Sequence, residues 1–315
     1  MAPQPLLLQG QIPPELAGQR LDQALVALFP DYSRARLQSW IREGAVLVDG
    51  RGCRPRDPAQ EGARVVVQTS LTEDSPWQAE ALPITVVYQD DALLVVDKPA
   101  GLVVHPAAGN YAGTLVNALL HFAPELAAVP RAGLVHRLDK DTTGLLVVAR
   151  TLTSHCALVA QLKERAFLRE YQAVVNGELV AGGTVDAPLG RHPQDRKRMA
   201  VVASGRPAIT HYRIATRFPA HTHLTLRLET GRTHQIRVHL SHIRYPLVGD
   251  PVYGGRPRLP PGCSGVLAER LQQFPRQALH AAQLGLTHPV SGAFLTWQSP
   301  LPADMATLLA QLGAG

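Results

Sequence analysis

Cysteine is scarce in this chain, and its few copies are far apart. The 315 residues include three cysteines, Cys53, Cys156 and Cys263. Disulfide frameworks need paired cysteines and structural zinc sites need closely spaced ones, so this spacing predicts neither. A reducing compartment suits such a sequence, and we predict a cytoplasmic protein.

Long apolar runs and glycine-rich nucleotide motifs are also missing. No run approaches the roughly 20 apolar residues of a membrane-spanning helix, and Met1 to Pro5 lack the basic start of a signal peptide. The G-x-G-x-x-G and Walker A patterns are absent, so the sequence offers no site for a nucleotide cofactor. We therefore expect no membrane partner and no small-molecule cofactor.

Lysine and aromatic residues are rare, whereas arginine is abundant. Four of the 31 cationic residues are lysine, which leaves 27 arginines, and the net charge is +6. Guanidinium groups make forked contacts to phosphate, so this surplus favours a polyanionic partner such as nucleic acid. A GC-rich genome explains the arginine bias equally well, although it does not remove the positive charge.

Two helices and a small hairpin are predicted near the start of the chain. The leucines of residues 21–28 recur at helical spacing. Ser33 can cap a second helix over residues 34–43, and a hairpin built on the Asp49-Gly50 turn follows. This order of elements predicts a small α/β domain over residues 1–70.

That domain resembles the S4 RNA-binding module. The resemblance rests on Arg20-Leu21-Asp22, Ser33-Arg34 and Val46-Leu47-Val48-Asp49-Gly50. It implies that the second helix faces RNA phosphates with three arginines, Arg34, Arg36 and Arg42. The alternative is a solvated basic helix without a ligand.

The rest of the chain is rich in predicted strands. Residues 71–82 turn polar, acidic and proline-bearing, which predicts a linker before a domain over residues 83–315. Strands are predicted over 84–88, 92–96, 145–149, 171–175, 208–214 and 224–228, and helices over 114–122, 154–164 and 233–243. Because strands outnumber helices and no βαβ rhythm repeats, we predict an α+β fold with a mixed, mostly antiparallel sheet in this second domain.

The run from His136 to Gly144 places carboxylates among cations at a turn, directly before an apolar strand. Asp139 and Asp141 are the candidates for chemistry, although an aspartate in a loop is more often a cap or turn residue. A carboxylate that acts as a nucleophile or base must be ionised, and the nearby Arg137 favours that form. The residues alone do not decide which of the two aspartates carries the chemistry.

A second candidate segment runs from Thr230 to Leu240 and carries arginines and histidines on a predicted helix. Ile236 and Leu240 mark the apolar face of that helix, so the neighbouring Arg237 is expected to be partly buried and to need a carboxylate partner. The histidines do not have the spacing of a zinc helix and no acidic ligand accompanies them, so we predict no metal site.

Two further features allow a functional and a structural interpretation. Tyr171, on a predicted strand, is either a core tyrosine or a platform on which an RNA base stacks. The loop over residues 191–198 is the densest basic stretch, and it is either a solvated turn or a loop that grips phosphate.

Four strings in the second domain resemble the RluA family of RNA pseudouridine synthases: VVDKPAGLVVHP, HRLDKDTTGLLVVA, REYQAVVNG and LETGRTHQIRVHL. The resemblance runs from about residue 84 into the C-terminal region, and an S4-like segment precedes it in many members. It implies a catalytic domain of pseudouridine synthase type that isomerises uridine without a cofactor. The implied partner is 23S rRNA or a precursor of the large ribosomal subunit, and the target uridines would lie in the helix 69 stem-loop. We expect the enzyme to be a monomer.

The resemblance also implies a role for each matching residue. Asp139 would be the single essential aspartate, which ranks it above Asp141, and Arg237 would pair with it. Tyr171 would stack on the target base, and Arg137 would fill the space that a flipped nucleotide leaves. Further RNA contacts are predicted from Arg232, His234, Arg196, Lys197 and Arg198.

Two other classes of protein remain possible at this stage. A non-catalytic S4-type RNA-binding or ribosome-assembly factor would need no ionised aspartate. An RNA methyltransferase would change the mass of the RNA and would need a donor-binding loop, which we do not find. Isomerisation of uridine changes no mass.

Overall fold

A computed structural model describes residues 4–30, 32, 34–71, 77–106, 111–195 and 198–314. The chain divides into two units, Met1–Pro76 and Trp77–Gly315. The boundary falls inside the predicted linker, of which residues 72–76 lie outside the described residues. Residues 77–82 have no regular secondary structure, and the Gln78 carbonyl accepts a hydrogen bond from Asn117 of the second unit at 2.7 Å. The linker role of residues 71–82 stays a prediction.

The first unit combines two helices with an antiparallel sheet. Its described strands are β1 (Gln4–Gln11), β2 (Val46–Val48), β3 (Arg51–Gly52) and β4 (Arg64–Leu71), and its helices are α1 (Leu21–Leu28), α2 (Arg34–Arg42) and a 3-10 turn over Pro14–Leu16. The sheet order is β1-β4-β2-β3. Leu25, Leu37 and Trp40 of the helices share a core with Val65 and Val67 of β4. Strand β1 was not predicted, because its consecutive leucines hide the two-residue period of a strand.

A fully buried carboxylate, Asp22, gathers polar side chains in this unit. Arg20 donates to it through Nε and Nη2 at 3.0 and 2.9 Å, and Arg34 donates to its Oδ2 at 3.0 and 2.8 Å. Burial opposes ionisation of Asp22, but the hydrogen bonds from Arg20, Gln38 and Arg34 outweigh it and hold its pKa well below the usual range. Arg34 is therefore bound to Asp22, while 44% of its side chain stays exposed.

The two other arginines of α2 are exposed. The Arg36 guanidinium lies 5.9 Å from the Trp40 ring centroid, and Arg42 donates to Gln38 at 3.2 Å. Ser33, the predicted cap of α2, lies outside the described residues. RNA binding by Arg34, Arg36 and Arg42 stays a prediction.

The second unit is organised around one extended sheet. Its described strands are β5 (Thr85–Gln89), β6 (Leu93–Lys98), β7 (Thr143–Ala149), β8 (Leu168–Asn176), β9 (Gly183–Asp186), β10 (Leu189–Arg191), β11 (Met199–Val201), β12 (Ile209–Phe218), β13 (His221–Leu228), β14 (Leu279–Thr287) and β15 (Phe294–Gln298). Its α-helices are α3 (Leu115–Phe122), α4 (Leu152–Lys163), α5 (Gln235–His242), α6 (Gly265–Gln273) and α7 (Ala303–Ala314), with 3-10 turns over Pro124–Ala128 and Pro130–Gly133. No helix among the described residues is long and apolar enough to cross a membrane.

The sheet is mixed and mostly antiparallel, which confirms the predicted fold class. Its described strands follow the order β5-β6-β7-β14-β8-β13-β12-β9, with β15 also paired to β14, while β10 and β11 form a separate hairpin. Strands β7 and β14 pair in parallel, through Thr143 with His280 and Gly144 with Ala281. The other neighbouring strands that pair in this sheet are antiparallel.

The middle of the sheet is buried on both faces. Leu146 and Val148 of β7 join one core with α3, whereas Leu145 and Val147 join another with α4. A strand covered on both faces has no polar–apolar alternation to identify it. Strand β7 was predicted all the same, from its continuous apolar run, and β13 from its alternating leucines. Strand β14 was not predicted, because His280, Gln283 and Gly285 interrupt its apolar residues.

Candidate active site

The second unit contains a cleft of about 880 Å³, which is lined by residues from several elements. Its lining includes the turn before β7, strand β8, and the loop that leads into α5. Asp139, Tyr171 and Arg237, which the sequence places on three separate segments, all line it. The fold therefore brings the predicted catalytic residues to one place.

Asp139 and Arg237 form an ion pair in this cleft. Nη1 of Arg237 donates to Oδ2 of Asp139 at 3.0 Å. The Arg237 side chain is 6% exposed and that of Asp139 is 16% exposed. The pair is therefore shielded from bulk solvent on the arginine side and open to the cleft on the aspartate side, where a substrate atom can approach the carboxylate.

A second carboxylate, Asp250, holds the other edge of the same guanidinium. Nε and Nη2 of Arg237 donate to it at 2.7 and 2.9 Å. Burial alone would lower the pKa of Arg237, but Asp250 and then Asp139 outweigh burial and raise it above its ordinary range. Arg237 is thus permanently charged, and its orientation toward Asp139 is fixed by Asp250.

Asp250 was missed as a site residue in the sequence. It accepts hydrogen bonds from the backbone N–H groups of Val252 and Tyr253 at 2.9 and 3.0 Å, so it closes a turn as well as binding Arg237. Its neighbours Gly249 and Pro251 suit a turn, and nothing in that pattern indicates an ion pair. The sequence did predict that a buried Arg237 needs a carboxylate partner, but it did not indicate that Arg237 would bind two carboxylates.

The turn that carries Asp139 is held by four neighbouring side chains. Lys98 donates to the Lys140 carbonyl at 2.7 Å, and Arg276 donates to the Asp141 carbonyl at 3.2 Å. The hydroxyls of the next two residues are hydrogen-bonded as well, Thr142 with Gln277 and Thr143 with His280. Burial lowers the pKa of Lys98 to about 7, while Asp141 and Asp139 oppose that shift. The position of Asp139 is therefore set by side chains of β6, of β14 and of the residues just before β14.

The position of Tyr171 is compatible with both interpretations of the sequence, a core tyrosine and a platform for a base. It is 6% exposed and belongs to the same core as Ala173, yet it also lines the cleft near Asp139. Burial raises the pKa of its phenol, so the ring stays neutral. A neutral ring at the cleft wall is suited to stacking on a base, and that role stays a prediction.

His234 lies beside the ion pair. It precedes α5 with a left-handed φ of 55°, so the helix begins two residues later than predicted. Its Nε2 is 4.0 Å from Oδ1 of Asp139, and its Nδ1 is 2.9 Å from the Tyr253 hydroxyl. Burial lowers the pKa of His234, Asp139 opposes that shift, and Arg237 adds to it.

Two of the other predicted RNA-binding residues belong to the wall of the cleft. Arg137 and Arg232 are exposed and line the cleft. The Arg198 guanidinium lies 5.2 Å from the ring centroid of Tyr253, and Arg196 and Lys197 lie outside the described residues. RNA binding by these five residues stays a prediction. Within the described ranges, no group of three or more histidine, cysteine, aspartate or glutamate residues is arranged to hold a metal ion.

His136, at the start of the same turn, makes the stability of this unit sensitive to acid. Its Nε2 accepts the backbone N–H of Val147 at 3.1 Å. Burial lowers the pKa of His136 to about 3, and Arg169 acts in the same direction. Because this is below the value of about 6.5 in an unfolded chain, protons bind the unfolded state first, and stability is lost as pH falls from about 6.5 toward 3.

We expect His136→Gln to reduce that acid sensitivity. The wild type should lose about 2 kcal/mol at this residue between pH 7.5 and pH 5.0, since each pH unit below 6.5 costs about 1.4 kcal/mol. Urea unfolding at the two pH values measures the difference. His121→Gln, at an exposed position in α3, is the matched control and should retain the wild-type loss. An identical pH dependence in His136→Gln and wild type would contradict the prediction.

Comparison with known proteins gives consistent matches. The model of a family described as RNA pseudouridylate synthase matches residues 92–242, and that of the S4 domain matches residues 19–65. Ribosomal large subunit pseudouridine synthase D of Pseudomonas aeruginosa is 57% identical over 303 residues, which cover 96% of this chain and 95% of that protein. The protein of the same name from Escherichia coli K12 is 54% identical over 293 residues, which cover 93% and 90%.

Solved structures show the same similarity over the larger unit. Human RNA Pseudouridylate Synthase Domain Containing 4 matches with a TM-score of 0.57 at 27% identity, over 73% of this chain and 93% of that chain. Human RNA Pseudouridylate Synthase Domain Containing 1 matches with a TM-score of 0.55 at 23% identity, over 75% and 97%, and supports the fold alone.

Proposed function

The chain belongs to the RNA pseudouridylate synthase family and carries an S4 domain, and from this premise we propose that it isomerises uridines of 23S rRNA with Asp139 as the catalytic carboxylate. The family membership makes it an RNA pseudouridine synthase and sets aside both a purely RNA-binding role and a methyltransferase. The 23S rRNA substrate is inferred from the relatives, whose name refers to the large ribosomal subunit.

The observation that carries the catalytic assignment is the Asp139–Arg237 ion pair at the wall of the cleft. In the reaction the N1–C1′ bond of uridine breaks, the base rotates without leaving, and C5 bonds to C1′. The proton on C5 is lost and N1 gains one, so no atom is added. Asp139 either attacks C1′ as a nucleophile or removes a proton from the sugar, while Arg237 holds it ionised and Tyr171 stacks on the base.

Within 23S rRNA we assign the target to the helix 69 stem-loop. The enzyme must extrude a uridine from its stack, and this costs a few kcal/mol, least where the base is already unpaired in a loop. A loop uridine can enter the cleft beside Asp139 while the cationic lining contacts the flanking phosphates. The arginines of α2 would add RNA contacts from the S4 domain. The proposal includes a monomeric enzyme in the cytoplasm.

Tritium release from RNA that contains 5-tritiated uridine tests the function directly. Formation of the C5–C1′ bond displaces the C5 hydrogen, so the wild type should release tritium from unmodified 23S rRNA but not from 16S rRNA. The mass of the RNA should stay unchanged, which a methyltransferase would not allow. The Asp139→Ala variant should release none.

Two results would contradict the proposal at different levels. Absence of release from 23S rRNA and from its subunit precursor would reject the substrate. Undiminished release from 23S rRNA that lacks helix 69 would reject only the assignment of the stem-loop. A helix 69 transcript alone separates free RNA from an assembled subunit as the preferred substrate.

A further inference from the structure

Arg169 is a buried arginine at the wall of the cleft that pairs with no carboxylate among the described residues. It lies on β8, two residues before Tyr171 and on the same face of the strand, and is 5% exposed. Its Nη2 donates to the carbonyls of Leu228 and Glu229 at 3.5 and 3.1 Å. Its Nε is buried and has no hydrogen-bond partner in the described part of the chain.

Two other buried arginines of this unit each bind a carboxylate, which Arg169 does not. Arg237 binds Asp139 and Asp250, and Arg276 binds Asp304 through two hydrogen bonds at 2.7 and 2.8 Å. Burial lowers the pKa of Arg169, with no carboxylate among the causes that oppose it. A buried cation without a counter-ion destabilises a fold, so its presence is explained when the anion arrives with a ligand.

The surroundings leave room for such an anion. A Cβ atom at Gly231 would lie 2.8 Å from Nη1 of Arg169, so glycine there keeps the edge of the guanidinium free of a neighbouring side chain. Besides Arg169 and Arg237, five further cations line the cleft: Arg131, Arg137, Lys163, Arg165 and Arg232. The carboxylates of the lining, Asp139 and Glu229, are already bound to arginine. The cleft therefore attracts anions, and Gly231 leaves the Nη1 edge of Arg169 open to one.

We propose that Arg169 forms a phosphodiester subsite that binds the RNA phosphate next to the target nucleotide. Side chains two residues apart on one face of a strand are separated by about 7 Å, so a base stacked on Tyr171 brings an adjacent phosphate within reach of Arg169. The guanidinium supplies Nη1, on the edge that Gly231 leaves open, as a charge-assisted donor to one phosphate oxygen. This inference rests on the proposed function, because it takes RNA as the occupant of the cleft.

A binding cycle with neutralised phosphates tests the subsite. The probe is a helix 69 stem-loop RNA in which single phosphodiesters are replaced, one at a time, by uncharged methylphosphonates. Arg169→Gln should weaken binding of the unmodified RNA about 10- to 100-fold, as expected for the loss of a charge-assisted hydrogen bond. One methylphosphonate should weaken wild-type binding by a similar factor and have no further effect on Arg169→Gln.

The matched control is Arg213→Gln, which removes an exposed arginine of β12 that does not line the cleft. It should bind RNA nearly as the wild type does and keep the full methylphosphonate penalty. Additive penalties in Arg169→Gln at every linkage, or unchanged binding, would overturn the subsite. Tritium release by the wild type from 23S rRNA and from its subunit precursor reports the proposed function separately.

A second variant keeps the test valid if Arg169→Gln does not fold. Gly231→Ala retains the buried arginine but places a methyl group against its Nη1, at a backbone position without positive φ. It should weaken RNA binding and reduce the methylphosphonate penalty. Wild-type affinity in Gly231→Ala, with an unchanged methylphosphonate penalty, would count against the proposal.

Discussion

Asp139→Asn should abolish isomerisation and leave RNA binding largely intact. The amide has the shape of the carboxylate, and its oxygen can still accept the hydrogen bond from Nη1 of Arg237. An uncharged amide neither attacks C1′ nor removes a sugar proton, so we expect kcat to fall by at least about 10⁴-fold. Single-turnover tritium release measures the loss, and filter binding of the same RNA measures the affinity.

Asp141→Asn provides the matched control for that variant. It makes the same chemical change two residues further along the same turn. Arg276 binds the carbonyl oxygen of Asp141 rather than its carboxylate, so the turn should keep its geometry. We expect kcat within about 10-fold of the wild type, since no step is assigned to this side chain. If Asp139→Asn stayed active and Asp141→Asn lost its activity, Asp141 would be the catalytic aspartate instead.

The sequence predicted elements that show either a clear periodicity or a continuous apolar run. Helix α3 and strand β13 were found because one face of each is apolar, and they begin and end within a few residues of the predicted bounds. Strand β14 was missed because His280, Gln283 and Gly285 interrupt its apolar residues, and α6 and α7 were not identified at all. The loop conformation before α5 depends on the left-handed φ of His234, which a non-glycine residue does not reveal in advance.

The sequence predicted the part of the site in which a buried charge requires an oppositely charged partner. The position of Arg237 beside an apolar stripe required burial and hence a carboxylate, but only the fold selects Asp139 and Asp250 from the carboxylates of the chain. The family resemblance, not the spacing of residues, ranked Asp139 above Asp141. Arg34 shows the converse: helical spacing places it on α2, yet nothing local indicates that the buried Asp22 binds it.

Asp250→Asn should reduce kcat about 100-fold, the size of effect expected when a catalytic group is misplaced by about 1 Å. The amide can keep its acceptor for the N–H groups of Val252 and Tyr253, but it loses the charge that holds Nε and Nη2 of Arg237. Arg237 is then free to turn toward its remaining carboxylate, Asp139, and to shift it. Asp250 does not line the cleft, so KM should change little. Steady-state tritium release gives both constants.

The split between kcat and KM distinguishes positioning of Arg237 from a general loss of stability. Asp90→Asn is the matched control, because Asp90 also closes a turn by accepting two backbone N–H groups, those of Ala92 and Leu93, and it also binds a basic side chain, His288. Both variants should lower the melting temperature, but only Asp250→Asn should lower kcat. An equal fall of kcat in both would mean that Asp250 acts through stability alone. A KM that rises while kcat holds would mean that Arg237 binds RNA instead of orienting Asp139.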